Sequence, residues 1–123
     1  ALEIALVIIE PSQGSNPRDD IGEFLRKLRE VTLECEVLLC FDEIITGFRF
    51  DLEGGQKIFD VKADLVCFGK GMGNGLPIAA ITGPSEFMKT FGERPDIAKR
   101  REEAGADVST TTVITPIGDY WLG

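Results

Sequence analysis

The sequence predicts an α/β fold, a partial and mostly parallel sheet with flanking helices. Two nearly continuous apolar runs of strand length, residues 2–9 and 37–41, enclose a stretch with helical periodicity. Unbroken apolar runs are typical of strands buried on both faces of a parallel sheet. A strand, a helix and a strand within about forty residues form a βαβ unit, which is right-handed in nearly all proteins.

The helix between these strands carries start signals and an apolar face. Asn16 is the predicted N-cap and Pro17 the first helical residue, while Asp19 and Asp20 suit the positive end of the helix dipole. The apolar residues recur at helical spacing: Ile21, Phe24, Leu25, Leu28 and Val31. Basic residues are expected late in the helix: Arg26, Lys27 and Arg29.

Shorter helices and strands are predicted after the second strand, and the sequence pattern changes near residue 92. We predict a short helix at 54–59, strands at 63–68 and 78–82, and a helix at 84–91. Residues 99–103 form a charged run, predicted to be the solvated end of a helix, and residues 110–114 favour a strand. The chain is therefore divided into a core of residues 1–91 and a tail of residues 92–123.

The composition excludes several classes of function. The formal net charge is −8, with 21 acidic and 13 basic residues, which argues against nucleic acid and against an anionic membrane surface as partners. No apolar run approaches the roughly 20 residues of a membrane helix, and no signal-peptide pattern opens the chain. The chain has no histidine, so it holds neither a Ser-His-Asp triad nor a histidine-based zinc site.

The cysteines favour free thiols. Cys35, Cys40 and Cys67 are odd in number and lack CxxC spacing, and two of them lie in apolar strands. Buried free thiols fit a reducing cytoplasm.

Two charged residues each follow a predicted strand. Asp42 opens the segment Asp-Glu-Ile-Ile-Thr-Gly-Phe-Arg, and Lys70 lies in Phe-Gly-Lys-Gly-Met-Gly-Asn-Gly-Leu-Pro. Ligands of open α/β sheets bind at the carboxyl ends of the strands, so both residues are placed for chemistry. Read alone, Asp42 could cap a turn and Lys70 could be a solvated loop lysine. The glycines around Lys70 lack the order of a phosphate-binding P-loop, so they are expected to allow tight turns with positive φ.

These motifs, with the upstream strand that ends in Glu10-Pro11, closely resemble those of the class III, pyridoxal-phosphate-dependent aminotransferases. The resemblance spans roughly residues 4–91 and implies the large domain of a fold-type-I enzyme. It implies that Lys70 forms the Schiff base with pyridoxal 5′-phosphate, that Asp42 pairs with the pyridine nitrogen and that Ile44 packs on the ring.

The neighbouring residues refine the resemblance. Ile45 stands where some members of the family carry a glutamine, which favours the glutamate-1-semialdehyde aminomutase-like branch. We expect a structural hydrogen-bonding role for Glu43, while Arg49 is left between a substrate contact and an ion pair. Glu10 is left between lining the pocket and fixing a loop.

The resemblance also sets expectations about the whole protein. It implies that this chain is a piece of a longer enzyme, with a phosphate loop before it and a small domain after it. The partners would be a small-molecule amino donor, a keto or aldehyde acceptor, and a second subunit. The leading function is amino-group transfer, with the isolated chain inactive. The alternatives are an intramolecular aminomutase and a non-catalytic fragment, with a nucleotide-binding module weaker still.

Overall fold

A computed structural model describes residues 4–92 and 113–115 and confirms the α/β fold. Five strands form one sheet in the order β1-β2-β3-β4-β5. The first three pair in parallel, and the pairs β3–β4 and β4–β5 are antiparallel. The strands, in chain order, are β1 (Leu6–Ile9), β2 (Leu38–Glu43), β3 (Leu65–Phe68), β4 (Ala79–Thr82) and β5 (Val113–Thr115).

Within the described residues three α-helices accompany the sheet. They are α1 (Ile21–Glu34), α2 (Gly55–Phe59) and α3 (Ser85–Gly92). Leu25 of α1 and the β2 residues Leu39 and Phe41 are fully buried, and Val61, Ala63 and Val66 complete this core cluster. Burying a leucine or phenylalanine side chain contributes about 1.5–3 kcal/mol. This core fixes α1 against the sheet and holds β2 in place.

The helix start predicted at Asn16 is wrong. Helix α1 begins at Ile21, with Asp20 as its N-cap residue and no side-chain capping bond. Arg18 binds the Asp20 carboxylate through Nε at 2.8 Å, so the acid is engaged by its neighbour instead of the helix amides. Because the helix continues to Glu34, the basic residues Arg26, Lys27 and Arg29 lie in its middle, and none lies in its last turn.

The predicted apolar face of α1 is only partly covered in this chain. Leu25 is buried, and Ile21 and Leu28 pack against the core. Phe24 and Val31, however, are 51% and 53% exposed.

Strand β1 is shorter and more exposed than predicted. It begins at Leu6, and the described residues Ile4 and Ala5 precede it without strand structure. Leu6 and Ile8 are 41% and 59% exposed, so the expectation of a strand buried on both faces is wrong for this chain. In the described sheet β1 is an edge strand, with one side chain in two turned away from the core.

The strands that carry the site residues differ from prediction at their ends. Strand β2 continues through Asp42 and Glu43, since these residues pair in register with Cys67 and Phe68 of β3. Strand β3 begins only at Leu65. The residue before it, Asp64, instead accepts the backbone N–H of Leu39 at 2.8 Å.

The later elements lie close to their predicted positions. Helix α2 begins one residue after its prediction, and β4 and α3 each begin one residue late. The β3–β4 connection, residues 69–78, contains one 3₁₀ turn and no α-helix, so the chain returns antiparallel. A parallel return needs a crossover of about a dozen residues or more.

Most of the predicted tail lies outside the described residues, including the charged run 99–103 and Thr110–Thr112. Of the predicted strand 110–114, the structure describes β5 at Val113–Thr115. In the part of the chain that the structure describes, no helix is long and apolar enough to cross a membrane.

Candidate active site

Asp42 lies one residue from the carboxyl end of β2. Its side chain is half-buried, and its Oδ1 accepts the backbone N–H of Ile44 at 3.1 Å. This bond closes a turn directly after the strand and fixes the direction of the carboxylate. Among the described residues, no hydrogen bond reaches the second oxygen, Oδ2, which leaves it available to a ligand.

Lys70 begins a 3₁₀ turn, Lys70–Met72, two residues after β3. The amide of Met72 donates to the carbonyl of Gly69, and the amide of Gly73 to that of Lys70, both at 3.0 Å. Lys70 is exposed and has a φ of 40°, in the left-handed region that L-residues rarely occupy. Such backbone strain costs about 1–3 kcal/mol and concentrates at functional sites.

Ile44 connects the acid to the lysine loop. An ideal Cβ built on Gly69 would lie 3.4 Å from Cγ2 of Ile44, so the isoleucine side chain covers the backbone directly before Lys70. Register pairing of Asp42 with Cys67 places the acid opposite a residue three positions before the lysine. The structure therefore brings all three predicted site residues to the same edge of the sheet.

Glu43 holds the surrounding loops together. Its carboxyl group is fully buried and accepts the hydroxyl of Thr46 at 2.7 Å, the amide of Gly55 at 2.8 Å and the amide of Gln56 at 3.3 Å. These bonds tie the turn after β2 to the first residues of α2. The expectation of a structural hydrogen-bonding role for Glu43 is confirmed.

The turn after β2 is packed too tightly for a side chain at Gly47. A Cβ there would lie 2.6 Å from Cδ1 of Phe68 and 2.7 Å from the carbonyl oxygen of Glu43. The next residue, Phe48, has a φ of 63° and places its ring 5.2 Å from that of Phe68. The Thr-Gly-Phe segment is thereby fixed against the end of β3.

Ile45 and Glu10 lie toward β1. Ile45 packs on the backbone of Gly14, where an added Cβ would lie 3.4 Å from Cδ1 of the isoleucine. Glu10 lines a groove of about 320 Å³ beside β1 and the start of α1. The groove is lined by Ile9, Glu10, Gln13, Asn16, Arg18, Asp20, Ile21 and Phe24, and thus lies apart from Asp42 and Lys70.

The glycines around Lys70 lie in tight turns, as predicted, but most of them do not adopt positive φ. Positive φ values fall on Lys70, Asn74 and Gly75, whereas Gly69 is extended and Gly73 has a φ of −85°. Gly73 is required by space instead, because a Cβ there would lie 2.6 Å from Cγ2 of Ile78. Of the four glycines in this loop, Gly69, Gly71, Gly73 and Gly75, the expectation of positive φ thus holds for Gly75 alone.

The cysteines are free, as predicted, but their arrangement was missed. Cys35 is exposed, Cys40 buried and Cys67 half-buried. The Sγ atoms of Cys40 and Cys67 lie 3.8 Å apart, on the face of the sheet that also carries Asp42. Strand alternation combined with a correct β2–β3 register would have revealed this pair.

The arrangement fits a cofactor that carries a carbonyl group and a ring. A primary amine, a carboxylate and an apolar side chain share one edge of the sheet, and within the described residues one oxygen of the carboxylate has no hydrogen bond. Glu43 fixes the turn after β2 at this edge. The amine suits a carbonyl carbon, the carboxylate a protonated ring nitrogen, and the isoleucine a ring face. These are the groups that pyridoxal phosphate presents.

Comparison with known proteins agrees with this chemistry. The profile of the aminotransferase class-III family matches residues 1–96. The glutamate-1-semialdehyde 2,1-aminomutase of Methanopyrus kandleri is 45% identical over 112 residues, which cover 89% of this chain and 26% of that protein. The chain thus spans about a quarter of the length of the curated relatives it matches.

Solved structures show the same fold. A β-phenylalanine aminotransferase from Variovorax paradoxus superimposes with a TM-score of 0.66 and 35% identity, covering 75% of this chain and 21% of that one. A transaminase with pyridoxal phosphate bound gives a TM-score of 0.64 and 29% identity, covering 75% and 22%. On its sequence, its fold and the residues at its sheet edge, the chain belongs to the class III aminotransferase family.

Proposed function

We propose that a longer protein carrying this chain is a pyridoxal-phosphate-dependent aminotransferase, with Lys70 holding the cofactor and Asp42 pairing with its ring nitrogen. The observation that carries the proposal is the placement of these residues at the ends of neighbouring strands, with Ile44 packed against the Lys70 loop. When bound, pyridoxal phosphate supplies an aldehyde that exchanges amines and a ring that draws electron density from the substrate α-carbon.

Lys70, Asp42 and Ile44 have separate roles in this proposal. Lys70 would hold the cofactor through its Nζ atom, and its amine would move a proton at the substrate α-carbon. Asp42, which the Ile44 amide orients, would pair through Oδ2 with the protonated ring nitrogen. Ile44, which packs on Gly69, would exclude water from this part of the site and so strengthen the interactions of both charged groups.

The experiment is an absorbance titration of this chain with pyridoxal phosphate, followed by borohydride reduction and peptide mapping. We expect weak binding and a pyridoxyl adduct confined to Lys70. The exposed Lys62, just before β3, is the matched control, because Lys62→Ala should leave the adduct unchanged and Lys70→Ala should abolish it.

Asp42→Asn should weaken binding by about 10- to 100-fold, the loss of one charge-assisted hydrogen bond. Equal labelling of Lys62 and Lys70 would contradict the assigned site.

An aminomutase is the second candidate, and the relatives favour it. The matched curated proteins from Methanopyrus kandleri and Methanococcus maripaludis are both glutamate-1-semialdehyde 2,1-aminomutases. An aminomutase moves the amino group within one substrate and consumes no second one. If the longer protein is an aminomutase, it should turn over a single amino aldehyde without a keto acid. If it is an aminotransferase, it should stop after one half-reaction.

The remaining partners follow from the same proposal. We expect the longer protein to be a cytoplasmic homodimer. Free cysteines fit the reducing cytoplasm. The exposed apolar side chains of Ile4, Leu6 and Ile8 favour burial in an interface. Sedimentation equilibrium of that protein tests the dimer. A monomer at all concentrations would contradict it.

A further inference from the structure

Asn74 and Gly75 form an exposed Asn-Gly pair in the loop that follows Lys70. Both residues are exposed, and the next residue, Leu76, is 75% exposed. Asn74 has a φ of 47° and Gly75 a φ of 93°, so both lie in the left-handed region. A Cβ built on Gly75 would meet no atom of the described residues within 4 Å, which leaves open space beside its backbone.

Hydrogen bonds close the chain on both sides of the peptide group that joins Asn74 to Gly75. On one side, the Asn74 amide donates to the carbonyl of Gly71 at 3.3 Å. On the other, the Leu76 amide donates to the carbonyl of Gly73 at 3.0 Å. Within the part of the chain that the structure describes, the N–H of Gly75 donates no hydrogen bond and the carbonyl of Asn74 accepts none. This peptide group can therefore rotate while both turns stay closed.

The rotation is suited to a reaction between neighbouring residues. Rotating a peptide group changes ψ of the residue before it and φ of the residue after it. Gly75 accepts this change, because glycine adopts negative and positive φ about equally well. The rotation can bring the backbone nitrogen of Gly75 to Cγ of the Asn74 side chain, and a bond between these atoms closes a small ring.

We propose that Asn74 is a site of spontaneous deamidation in the folded protein, with solvent water as the co-reactant. The Gly75 nitrogen, after losing its proton to base, attacks Cγ of Asn74. The new N–C bond forms as the C–N bond of the side-chain amide breaks, and the released nitrogen takes up a proton and leaves as ammonia. Water then adds to either carbonyl carbon of the resulting succinimide and opens the ring to aspartate or isoaspartate.

The reaction changes the charge and the length of the lysine loop. The neutral side chain of Asn74 becomes a carboxylate, in a chain whose formal net charge is already −8. In the isoaspartate product the main chain between Lys70 and strand β4 also gains a methylene group. Either product would therefore alter the loop beside the candidate active site without the action of an enzyme.

A second asparagine in the chain is an internal control. The chain has two asparagines, and the other one, Asn16, is exposed as well. Asn16 is followed by Pro17, whose nitrogen carries no hydrogen and cannot close the ring. Ammonia lost at Asn16 thus measures direct hydrolysis of an exposed amide, with which the conversion of Asn74 is compared.

The test is incubation of the folded chain from pH 6 to 9, with conversion at each asparagine read by peptide mass spectrometry and isoaspartate detected with an isoaspartate methyltransferase. We expect Asn74 to convert at a rate that rises with pH, and Asn16 to stay intact. A parallel incubation in guanidinium chloride gives the rate in the unfolded chain. The folded rate at Asn74 should lie within about tenfold of the unfolded rate, because exposed loop segments open at little cost in free energy.

Two variants separate ring closure from mere exposure. Gly75→Pro removes the attacking N–H and should abolish conversion at Asn74. Asn74→Gln moves the side-chain amide one methylene farther from the same nitrogen and should lose most of the conversion. Near-ultraviolet circular dichroism checks that each variant folds.

A folded rate at Asn74 more than about tenfold below the unfolded rate would overturn the proposal, because it would show that the loop holds the peptide group in place. Equal conversion at Asn74 and Asn16, or continued conversion in a folded Gly75→Pro variant, would overturn it as well. No cofactor is added, so the outcome is independent of the function proposed for Lys70.

Discussion

The side chain of Ile44 lies on the backbone of Gly69, one residue before Lys70, and the contact leaves ordinary room for a methyl group. A Cβ at Gly69 would lie 3.4 Å from Cγ2 of Ile44, and Gly69 has an extended backbone that any residue adopts. At Gly47, by contrast, a Cβ would meet a ring carbon at 2.6 Å and a backbone carbonyl oxygen at 2.7 Å.

We therefore expect Gly47→Ala to lower the free energy of unfolding by about 2–3 kcal/mol, and Gly69→Ala to lower it by less than about 1 kcal/mol. Urea denaturation of the two variants, followed by circular dichroism, measures both. Equal losses would show that the turn after β2 yields more easily than its contacts with Phe68 and Glu43 imply.

Replacing Glu43 should loosen the loops that frame Asp42. Glu43→Ala leaves a hydroxyl and two amides without their acceptor, and should cost about 3 kcal/mol or more, because each buried unsatisfied group costs about 1–3 kcal/mol. Thr46→Val removes only one donor and should cost about 1 kcal/mol.

Urea denaturation gives both values, and hydrogen exchange at the Gly55 amide reports the loop directly. If Glu43→Ala cost no more than Thr46→Val, the carboxyl group would not be the common anchor.

Asp64 should make stability depend on acidity. It forms two hydrogen bonds to Arg29, at 2.6 and 2.8 Å, and accepts the Leu39 amide. The Arg29 hydrogen bonds, and then the Leu39 amide, hold the pKa of Asp64 below its ordinary value despite partial burial. The stabilisation is thus fully present above the unfolded pKa of about 3.9 and is lost as the pH falls through the lower folded pKa.

Asp64→Asn should cost about 1–3 kcal/mol at pH 7 and progressively less below pH 4. Denaturation at a series of pH values tests this. A cost that stays constant down to pH 2.5 would mean that the carboxylate charge contributes nothing. Asp20 provides the control, because its partner Arg18 is exposed and Asp20→Asn should change stability little.

Lys70 occupies a backbone conformation that suits glycine better than lysine. With φ at 40°, the Lys70→Gly change relieves backbone strain, and glycine also gains entropy in the unfolded chain, which opposes this gain in stability. The net result should be a rise of about 0.5–1 kcal/mol in the free energy of unfolding. The same change should abolish the pyridoxyl adduct.

Asn74→Gly is the matched control, since Asn74 has a φ of 47° in the same loop and should leave the adduct intact. Thermal denaturation and adduct mapping of both variants decide the matter. A Lys70→Gly variant less stable than a Lys70→Ala variant would show that the lysine backbone is not strained.

Sequence reasoning located the elements well where patterns were local. The apolar runs around Leu39 and Val66 and the pattern around Leu25 are read from side chains alone, and all three residues lie in the core. The candidate site residues were predicted from the resemblance of motifs at strand ends, and the structure gathers Asp42, Ile44 and Lys70 at one edge of the sheet.

One failure came from a local contact and the others from partners distant in sequence. The sequence misplaces the start of α1 because Arg18 binds the nearby Asp20. The sequence predicts that β2 ends at Phe41, whereas the strand continues through Asp42 and Glu43 because these residues pair with Cys67 and Phe68. The proximity of Cys40 and Cys67 is not predicted for the same reason, because the spacing of residues within one strand does not reveal their neighbours on the next strand.

The order of the strands has a consequence for how the sheet assembles and opens. Phe68 pairs with Ala80 across a short loop, whereas Leu6 reaches Leu38 only after the chain has passed through the whole of α1. Contacts between residues near in sequence form at lower entropic cost, so β3 and β4 should pair early. The outer strands β1 and β5 should join late, since Val113 is as far in sequence from its partner Ile81 as Leu6 is from Leu38. By the same reasoning these two strands should detach first, and their amides should exchange fastest with solvent. Such an opening would leave the pairing of β2 with β3, and hence the alignment of Asp42 with Lys70, undisturbed.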